Sequence, residues 1–410
     1  MDEIDPADRF ADLVEDGYVF PDYGGACFAD VPSTLLSVLS PEFDRRLPAS
    51  VFSGVDTDVS QVVLVLLDGL GWDQYQRDTE YAPLLDRLDR AGTVSPLTSI
   101  YPSETAAAIT TLESGLVPAR HGLLGWFQYV GEIDAVLQSL PFLTLDGEPA
   151  GDLYDVDESV LSDAEAIYPR ARDAGIDAHC YQPEKFDPDT PGATDHPYWN
   201  VPDALAELRR DLESSVEAGD SPAYRFLYVP EIDAIAHAVG TRHERYEAQV
   251  RSITEAVRAE LLDRLDPAVA QETLLVVTAD HGHVATDPET NVDLRETAVW
   301  EYVDDQMPTG SPRNVQFHVD DPEGAATALY EAFGDEVRTF TREEYLEREL
   351  FGPGTCARFE ERAPDLVATH REKGMWWESG QLELVGMHGG LNRAEMFVPF
   401  GAGRVADLQD

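Results

Sequence analysis

The feature of this chain that most constrains its fold is the unbroken apolar run at residues 62–67, which ends directly in Asp68 and Gly69. The run is much too short for a transmembrane helix, and its valines and leucines are typical of a strand that is buried on both faces. Such strands form the centre of parallel α/β sheets, where functional side chains lie at the carboxyl ends of the strands. We therefore predict that Asp68 lies at the functional edge of a central sheet.

Two later segments repeat this arrangement. Apolar residues 226–229 and 274–277 are each followed within a few positions by an acid and a histidine. These residues are Asp233 and His237 after the first segment, and Asp280 and His281 after the second. If the chain is helical after residue 229, Asp233 and His237 project from one face, because they are four positions apart. A further histidine, His388, lies among glycines that allow a close backbone approach.

A candidate nucleophile lies between these segments, at residues 100–122. Pro102 favours an extended or turning backbone before it, and residues 104–113 contain no glycine or proline and predict a helix. Thr105 is then in the first turn, where unpaired N–H groups and the positive end of the helix favour an anion such as a phosphate. Threonine is also an ordinary residue at helix starts, so the position alone leaves a purely structural role open.

Taken together, the acidic and histidine side chains predict a metal centre. One acid–histidine pair at a strand end is often a hydrogen-bonded pair of the core, but here such groups recur after successive apolar runs. Oxygen and nitrogen ligands without thiolates suit two divalent ions, Zn²⁺ first and Mn²⁺ as the alternative. Two such ions about 4 Å apart stabilise the attacking and leaving oxygens of an in-line displacement.

The composition restricts the partners. The 410 residues include 79 acidic and 29 basic ones, for a formal net charge of −50, and only Lys185 and Lys373 are lysines. The acids are spread along a chain that is still 43% hydrophobic, so they indicate a folded protein with an acidic surface. Such a composition resembles proteins of halophilic organisms. A polyanionic nucleic acid would be repelled, so no stable nucleic-acid complex is expected.

Three features bear on the compartment. Cys27, Cys180 and Cys356 are odd in number and widely spaced, which predicts neither a disulfide framework nor a zinc knuckle. The first residues lack the basic and apolar regions of a signal peptide, and no stretch approaches the ~20 apolar residues of a membrane-spanning helix. These observations predict a cytoplasmic protein that does not bind a membrane, and they leave the oligomeric state open.

In their order along the chain, these motifs resemble the alkaline phosphatase superfamily, and within it the nucleotide pyrophosphatase/phosphodiesterase branch. The motifs are strand-Asp68-Gly69, Tyr101-Pro102-Ser103-x-Thr105, Gly115 with Pro118 and His121-Gly122, Glu231-x-Asp233-x-x-x-His237, Asp280-His281-Gly282 and Gly386-x-His388-Gly389. The resemblance covers most of the chain. It implies an α/β fold with a central, mostly parallel sheet flanked by helices, and with an inserted cap subdomain.

The resemblance also implies a role for each residue of the site. Thr105 would be the nucleophile and would form a phospho-threonine intermediate. The metal that activates Thr105 would be held by Asp68, Thr105, Asp280 and His281, and the second metal by Asp233, His237 and His388. The implied activity is a metal-dependent hydrolase that cleaves a phosphodiester or pyrophosphate bond in a small-molecule substrate.

Two departures from the family pattern bear on the substrate. The branch usually follows its nucleophile with Phe-Pro-Asn-His, whereas residues 106–109 read Ala-Ala-Ala-Ile, and Trp126 occupies the position of a phosphate-binding asparagine. Trp126 and Phe127 would either line a substrate pocket or fill the core. The alternatives are a phosphomonoesterase, a phosphonate hydrolase or a phosphomutase on the same fold, and a catalytically silent metal-binding protein.

The predicted cap subdomain is residues 291–379, so the catalytic domain comprises residues 1–290 and 380–410. The cap interval contains an alternating strand pattern at residues 313–319, followed by two helical patterns at residues 323–333 and 343–350. His283 is expected at the surface, with a supporting role behind the metal ligands as the alternative. Arg313 is a candidate substrate contact, although nothing in the sequence distinguishes it from an ordinary cap residue.

Overall fold

The computed structural model describes residues 9–186, 188–219, 221–303 and 306–409. Its strands are β1 Val14–Glu15, β2 Tyr18–Val19, β3 Gln61–Leu67, β4 Thr93–Thr98, β5 Phe127–Val130, β6 Ala135–Gln138, β7 Leu143–Thr144, β8 Asp177–Pro183, β9 Thr194–Tyr198, β10 Ala223–Val229, β11 Thr273–Thr278, β12 Val284–Ala285, β13 Val292–Asp293, β14 Thr309–Ser311, β15 Asn314–Phe317, β16 Val337–Thr341, β17 Leu366–His370, β18 Met375–Trp376, β19 Gly386–Met387 and β20 Phe397–Arg404. Two of the sheets they form are large and dominate the architecture.

The helices lie between these strands in sequence. They are α1 Val31–Leu39, α2 Trp72–Asp78, α3 Pro83–Ala91, α4 Thr105–Ser114, α5 Pro118–His121, α6 Ala150–Tyr154, α7 Tyr168–Asp173, α8 Val201–Ala218, α9 Glu231–Val239, α10 Glu244–Val257, α11 Pro267–Gln271, α12 Pro322–Phe333, α13 Arg342–Glu347, α14 Ala357–Arg362, α15 Ser379–Leu382, α16 Arg393–Met396 and α17 Val405–Leu408. A π-helical segment, Arg258–Leu262, continues α10. Short 3-10 turns make further connections.

The central sheet confirms the predicted α/β architecture. Its strand order is β4-β20-β11-β3-β10-β8-β9, and the pairs from β11 to β9 are all parallel, whereas β20 is antiparallel to both of its neighbours. Strand β3 lies between β10 and β11, and every residue of it is buried. The apolar run that precedes Asp68 is therefore the centre of the sheet, where each fully buried valine or leucine contributes about 1.5–3 kcal/mol.

The helices predicted at residues 104–113 and 323–333 are observed as α4 and α12. The helix predicted at residues 343–350 is observed as α13, which ends earlier, at Glu347. In α7, Pro169 lies in the first turn and starts the helix, because a missing N–H costs nothing there.

A second large sheet is entirely antiparallel and has the order β16-β17-β15-β14-β5-β6-β7. Its strands come from two parts of the chain, residues 127–144 and residues 309–370. Its own core includes Phe127, Phe317 and Trp376. The boundaries 291–379 for a cap subdomain stay a prediction, and three strands of this sheet precede that interval.

Among the described residues, no helix combines the length and the apolar character that crossing a membrane requires.

Candidate active site

The first cluster of acidic and histidine side chains lies where two neighbouring strands end. Asp68 follows β3, and Asp280 and His281 follow β11, which pairs with β3 in parallel register. All three side chains are buried. His281 Nε2 lies 3.4 Å from Asp68 Oδ1 and 3.4 Å from Asp280 Oδ2. The parallel register thus brings two segments that are distant in sequence to a single point, as predicted.

Thr105 is the first residue of α4 and lies against this cluster. Its hydroxyl is 3.0 Å from His281 Nε2 and donates toward Asp68 Oδ1 at 3.5 Å. The residue is buried, and Glu104 before it has extended backbone angles. The free N–H groups of the first helical turn therefore lie beside the hydroxyl, where they favour an anion.

The second cluster comprises Asp233, His237 and His388. Asp233 and His237 lie one turn apart on α9, and His237 Nε2 is 3.2 Å from Asp233 Oδ1. His388, which follows β19, places its Nε2 atom 3.2 Å from His237 Nε2 and 3.6 Å from Asp233 Oδ1.

Backbone carbonyls orient both imidazole rings of the second cluster. His237 Nδ1 lies 2.7 Å from the Gly386 carbonyl oxygen, and His388 Nδ1 lies 3.0 Å from the Ser103 carbonyl oxygen. A carbonyl oxygen can only accept a hydrogen bond, so each ring carries a proton on Nδ1. In the neutral form of each ring the Nε2 atom then has a lone pair, and the two Nε2 atoms face each other as a pair of metal ligands would.

The two clusters adjoin and form one site. The His281 and His388 rings are stacked, with centroids 3.6 Å apart and planes within 8°. The site is closed by Gly69, whose φ is +75° and where a Cβ atom would lie 2.7 Å from His283 Nε2. A side chain at position 69 would therefore collide with the site and strain the backbone.

The residues present fit a pair of divalent cations. Asp233 Oδ1 and Asp280 Oδ2 are buried, yet no described residue gives either one a well-directed hydrogen bond, although imidazole nitrogens lie 3.0–3.6 Å from Asp233 Oδ1. Burial, together with the nearby Asp280 and Asp233 charges, raises the pKa of Asp68 well above its usual range. Unpaired carboxylate oxygens and mutually repelling acids are costly without a compensating cation.

His283 was expected at the surface, and that expectation is wrong. The side chain is buried, and its Nε2 atom lies 3.0 Å from Asp233 Oδ1. Neither ring nitrogen makes a well-directed hydrogen bond within the described part of the chain, and burial lowers the pKa of the ring to about 4. His283 is thus a neutral imidazole inside the site. The signal for it was its position two residues after His281, which brings it back to the same side of an extended segment.

Two other residues of the site escaped the sequence analysis. The Tyr228 hydroxyl, at the carboxyl end of β10, donates to Asp68 Oδ2 at 2.6 Å. The Glu104 carboxylate is buried beside Thr105 and accepts hydrogen bonds from Trp126, Ser311 and Asn314. Burial raises the pKa of Glu104 to about 7, against the effect of these donors.

The remaining candidates lie elsewhere or are already paired. Phe127 is buried in the second sheet and stacks on Trp376 at 5.2 Å, while Trp126 is partly buried beside it. A pocket role for Trp126 and Phe127 stays a prediction. Arg313 is fully buried, forms an ion pair with Glu395 at 2.7 Å and donates to two backbone carbonyls.

A mostly parallel sheet with a second antiparallel sheet, and with acids and histidines at its strand ends around a helix-start threonine, defines an alkaline-phosphatase-like protein. The chain belongs to the type I phosphodiesterase/nucleotide pyrophosphatase family, whose model matches residues 62–391. This is a family of hydrolases of phosphodiester and pyrophosphate bonds. Among curated protein sequences, none matches this chain.

Solved structures with a similar fold include two ectonucleotide pyrophosphatases/phosphodiesterases. Murine ectonucleotide pyrophosphatase/phosphodiesterase 5, solved as an inactive variant in complex with AMP, has a TM-score of 0.63 at 17% identity, covering 85% of this chain and 92% of the murine chain. Human ectonucleotide pyrophosphatase/phosphodiesterase 5 has a TM-score of 0.61 at 19% identity, with the same coverage. At these identities the likeness establishes the fold.

Proposed function

We propose that this protein is a two-metal phosphodiesterase or pyrophosphatase that acts through a phospho-threonine. One observation carries the proposal. The Thr105 hydroxyl, at the start of α4, lies 3.0 Å from His281 Nε2 and 3.5 Å from Asp68 Oδ1, beside buried carboxylate oxygens that lack well-directed partners. A threonine that only capped the helix would not require buried carboxylates beside its hydroxyl.

The metal ligands follow from the two clusters. Asp68, Asp280 and His281, with Thr105, would hold one divalent ion, and Asp233, His237 and His388 the other. Nitrogen and oxygen donors without sulfur favour Zn²⁺, with Mn²⁺ as the alternative. When bound, the two ions would lower the pKa of the threonine hydroxyl and neutralise charge on the attacking and leaving oxygens.

The chain's own residues perform the remaining work. Thr105 Oγ1 loses its proton to solvent and attacks phosphorus, the bond from phosphorus to the leaving oxygen breaks, and a phospho-threonine results. Water then attacks phosphorus, and the bond from phosphorus to Oγ1 breaks. The water oxygen stays on the phosphate product, and Oγ1 takes up a proton to restore the hydroxyl. The first turn of α4 stabilises the anionic phosphoryl group through its N–H groups, and the Tyr228 hydroxyl keeps Asp68 oriented.

The proposed substrate class is a nucleotide or a compound like one. The murine neighbour was solved with AMP. In this chain, Phe186 stacks on Tyr228, the residue whose hydroxyl bonds to Asp68, with ring centroids 6.1 Å apart, and 45% of the Phe186 surface is exposed. An exposed aromatic ring at that position offers a flat surface to a base. We propose that the reaction takes place in the cytoplasm.

The test compares hydrolysis of bis-p-nitrophenyl phosphate and p-nitrophenyl phosphate, in molar KCl with Zn²⁺ or Mn²⁺, by the wild type, Thr105→Ala and Thr110→Ala. Thr110 is a matched control because it lies on α4 and, within the described part of the chain, its hydroxyl bonds only to the Ala106 carbonyl oxygen. The proposal is supported if the wild type hydrolyses the diester, Thr105→Ala lowers this turnover by at least about 10³-fold, and Thr110→Ala leaves it unchanged. Monoester preference would assign a phosphomonoesterase, and no turnover by folded, metal-loaded protein would reject the proposal.

A further inference from the structure

We propose that Glu104 is a positioning residue. Its hydrogen bonds hold the start of α4 against the second sheet and so determine the position of the Thr105 hydroxyl. The proposal rests on the proposed function, because Thr105 is the group being positioned. Glu104 is 2% exposed and directly precedes Thr105 in the chain. Its carboxylate does not cap its own helix, since no side-chain capping bond is formed there.

Both carboxylate oxygens of Glu104 are engaged by the second sheet and the segment that leads into it. Oε1 accepts from Ser311 Oγ at 2.6 Å and from Asn314 Nδ2 at 3.2 Å. Oε2 accepts from the Trp126 backbone N–H at 2.7 Å. Ser311 and Asn314 face each other in the β14–β15 hairpin, and Trp126 immediately precedes β5. The hydrogen bonds of this one side chain therefore connect Trp126, Ser311 and Asn314 to the start of α4.

The same junction also fixes a ligand of the second cluster. Gly389, with φ +117°, packs so closely on Glu104 that a Cβ atom there would lie 2.8 Å from Oε1. Ser103, on the other side of Glu104, receives the Gly389 N–H on its hydroxyl at 3.2 Å, and its carbonyl oxygen lies 3.0 Å from His388 Nδ1. A displacement of Glu104 would therefore shift Thr105 and His388 together.

The chemistry of the junction requires a carboxylate. A buried group that accepts from three donors must offer acceptors on both of its oxygens, and glutamine offers one. Glu104→Gln would place an amide N–H₂ against either the Trp126 N–H or the Asn314 amide N–H, leaving a buried donor unpaired. A reacting atom that moves by about 1 Å loses about 10²-fold in rate.

The test removes one hydrogen bond of Glu104 by changing its partner in the second sheet and leaving Glu104 itself in place. Ser311→Ala deletes the 2.6 Å bond without altering residues 103–105. Thr339→Val is its control, because Thr339 lies in the same sheet and, among the described residues, its hydroxyl bonds only to the Tyr330 hydroxyl of α12. We expect kcat for bis-p-nitrophenyl phosphate to fall about tenfold in Ser311→Ala and about 10²-fold in Glu104→Gln. KM and bound zinc per chain should stay near wild-type values in both variants, and the melting temperature should fall only by what the loss of one buried hydrogen bond costs. Thr339→Val should match the wild type in kcat, KM and bound zinc.

A second readout does not depend on turnover. Amide hydrogen exchange at residues 105–108 should accelerate in Ser311→Ala and Glu104→Gln and stay unchanged in Thr339→Val. Wild-type kcat with unchanged exchange in both variants would overturn the inference, and so would a loss of kcat that merely parallels loss of zinc or of folded protein. If the wild type does not hydrolyse the ester, the proposed function fails, and exchange still decides whether Glu104 holds the helix start.

Discussion

At the residue scale, the least expected feature is a fourth imidazole in the site. His283 Nε2 lies 3.0 Å from Asp233 Oδ1, on the acid proposed to bind the second metal, and the ring is neutral because burial lowers its pKa to about 4. We expect His283→Ala to weaken zinc binding by about 10–100-fold, since the imidazole that lies 3.0 Å from Asp233 Oδ1 is removed from beside the proposed metal ligand. Isothermal titration calorimetry of the apoprotein measures this change.

His318→Gln is the control for that measurement, because His318 is a half-buried histidine that directly follows β15 of the second sheet and belongs to neither cluster. Equal zinc affinity in His283→Ala and His318→Gln would show that His283 merely fills space beside Asp233.

A second histidine links stability to pH. His121 is buried, with Nε2 3.0 Å from the Thr111 hydroxyl, and burial lowers its pKa to about 3. Below pH 6.5 the unfolded chain takes up a proton on this ring and the folded chain does not. The free energy of unfolding therefore falls by about 1.4 kcal/mol per pH unit as the pH drops from about 6.5 toward 3.

Urea unfolding at several pH values checks this contribution by comparing His121→Gln with the wild type. The variant should lose less stability between pH 6.5 and 5, by about 2 kcal/mol, whatever its stability at neutral pH. Parallel curves for the two proteins would show that His121 is not the group responsible.

At the element scale, α13 depends on a reciprocal cap. The Thr341 hydroxyl accepts from the Glu344 N–H at 3.4 Å, while the Glu344 carboxylate accepts from the Thr341 N–H at 2.8 Å. Thr341→Ala should therefore lower the free energy of unfolding by about 1 kcal/mol. Chemical denaturation measures the change, with Thr327→Ala as the control.

Thr327 is exposed in the interior of α12, where its hydroxyl bonds to the Glu323 carbonyl oxygen. Alanine is the better helix former there, so Thr327→Ala should be neutral or slightly stabilising. A Thr341→Ala variant as stable as Thr327→Ala would mean that the cap contributes nothing to the folded protein.

At the scale of the whole molecule, charge is the dominant property. The net charge of −50 is carried largely at the surface, where acids repel one another over a Debye length of about 10 Å at 0.1 M salt and 3 Å at 1 M. We expect the melting temperature to rise steadily between dilute buffer and 2 M KCl. Differential scanning calorimetry in KCl and in choline chloride separates general screening, which both salts provide, from specific binding of K⁺.

An unchanged melting temperature across that range would remove the idea of an adaptation to high salt. The prediction concerns the stability of the folded protein alone, so a measurement of activity does not affect it.

The sequence by itself determined the parts of this protein that depend on local pattern and strand polarity. The apolar runs before Asp68, Asp233 and Asp280 predicted buried parallel strands, and parallel strands bring their carboxyl ends to one edge. The regions of α4 and α12 followed in the same way from composition and periodicity. Local patterns are sufficient here because each functional residue follows its strand within a few positions, so a prediction of the strand also places the residue.

Only the tertiary structure decided which distant groups meet. The inward position of His283, the bond from Tyr228 to Asp68 and the attachment of Glu104 to Ser311 and Asn314 depend on how separate segments pack. The pairing of Gly310 with Phe127 joins strands far apart in the chain into one sheet, and no periodicity within either strand records it. Burial and long-range register are properties of the assembled core, so the surroundings of the predicted ligands emerged only once both sheets were in place.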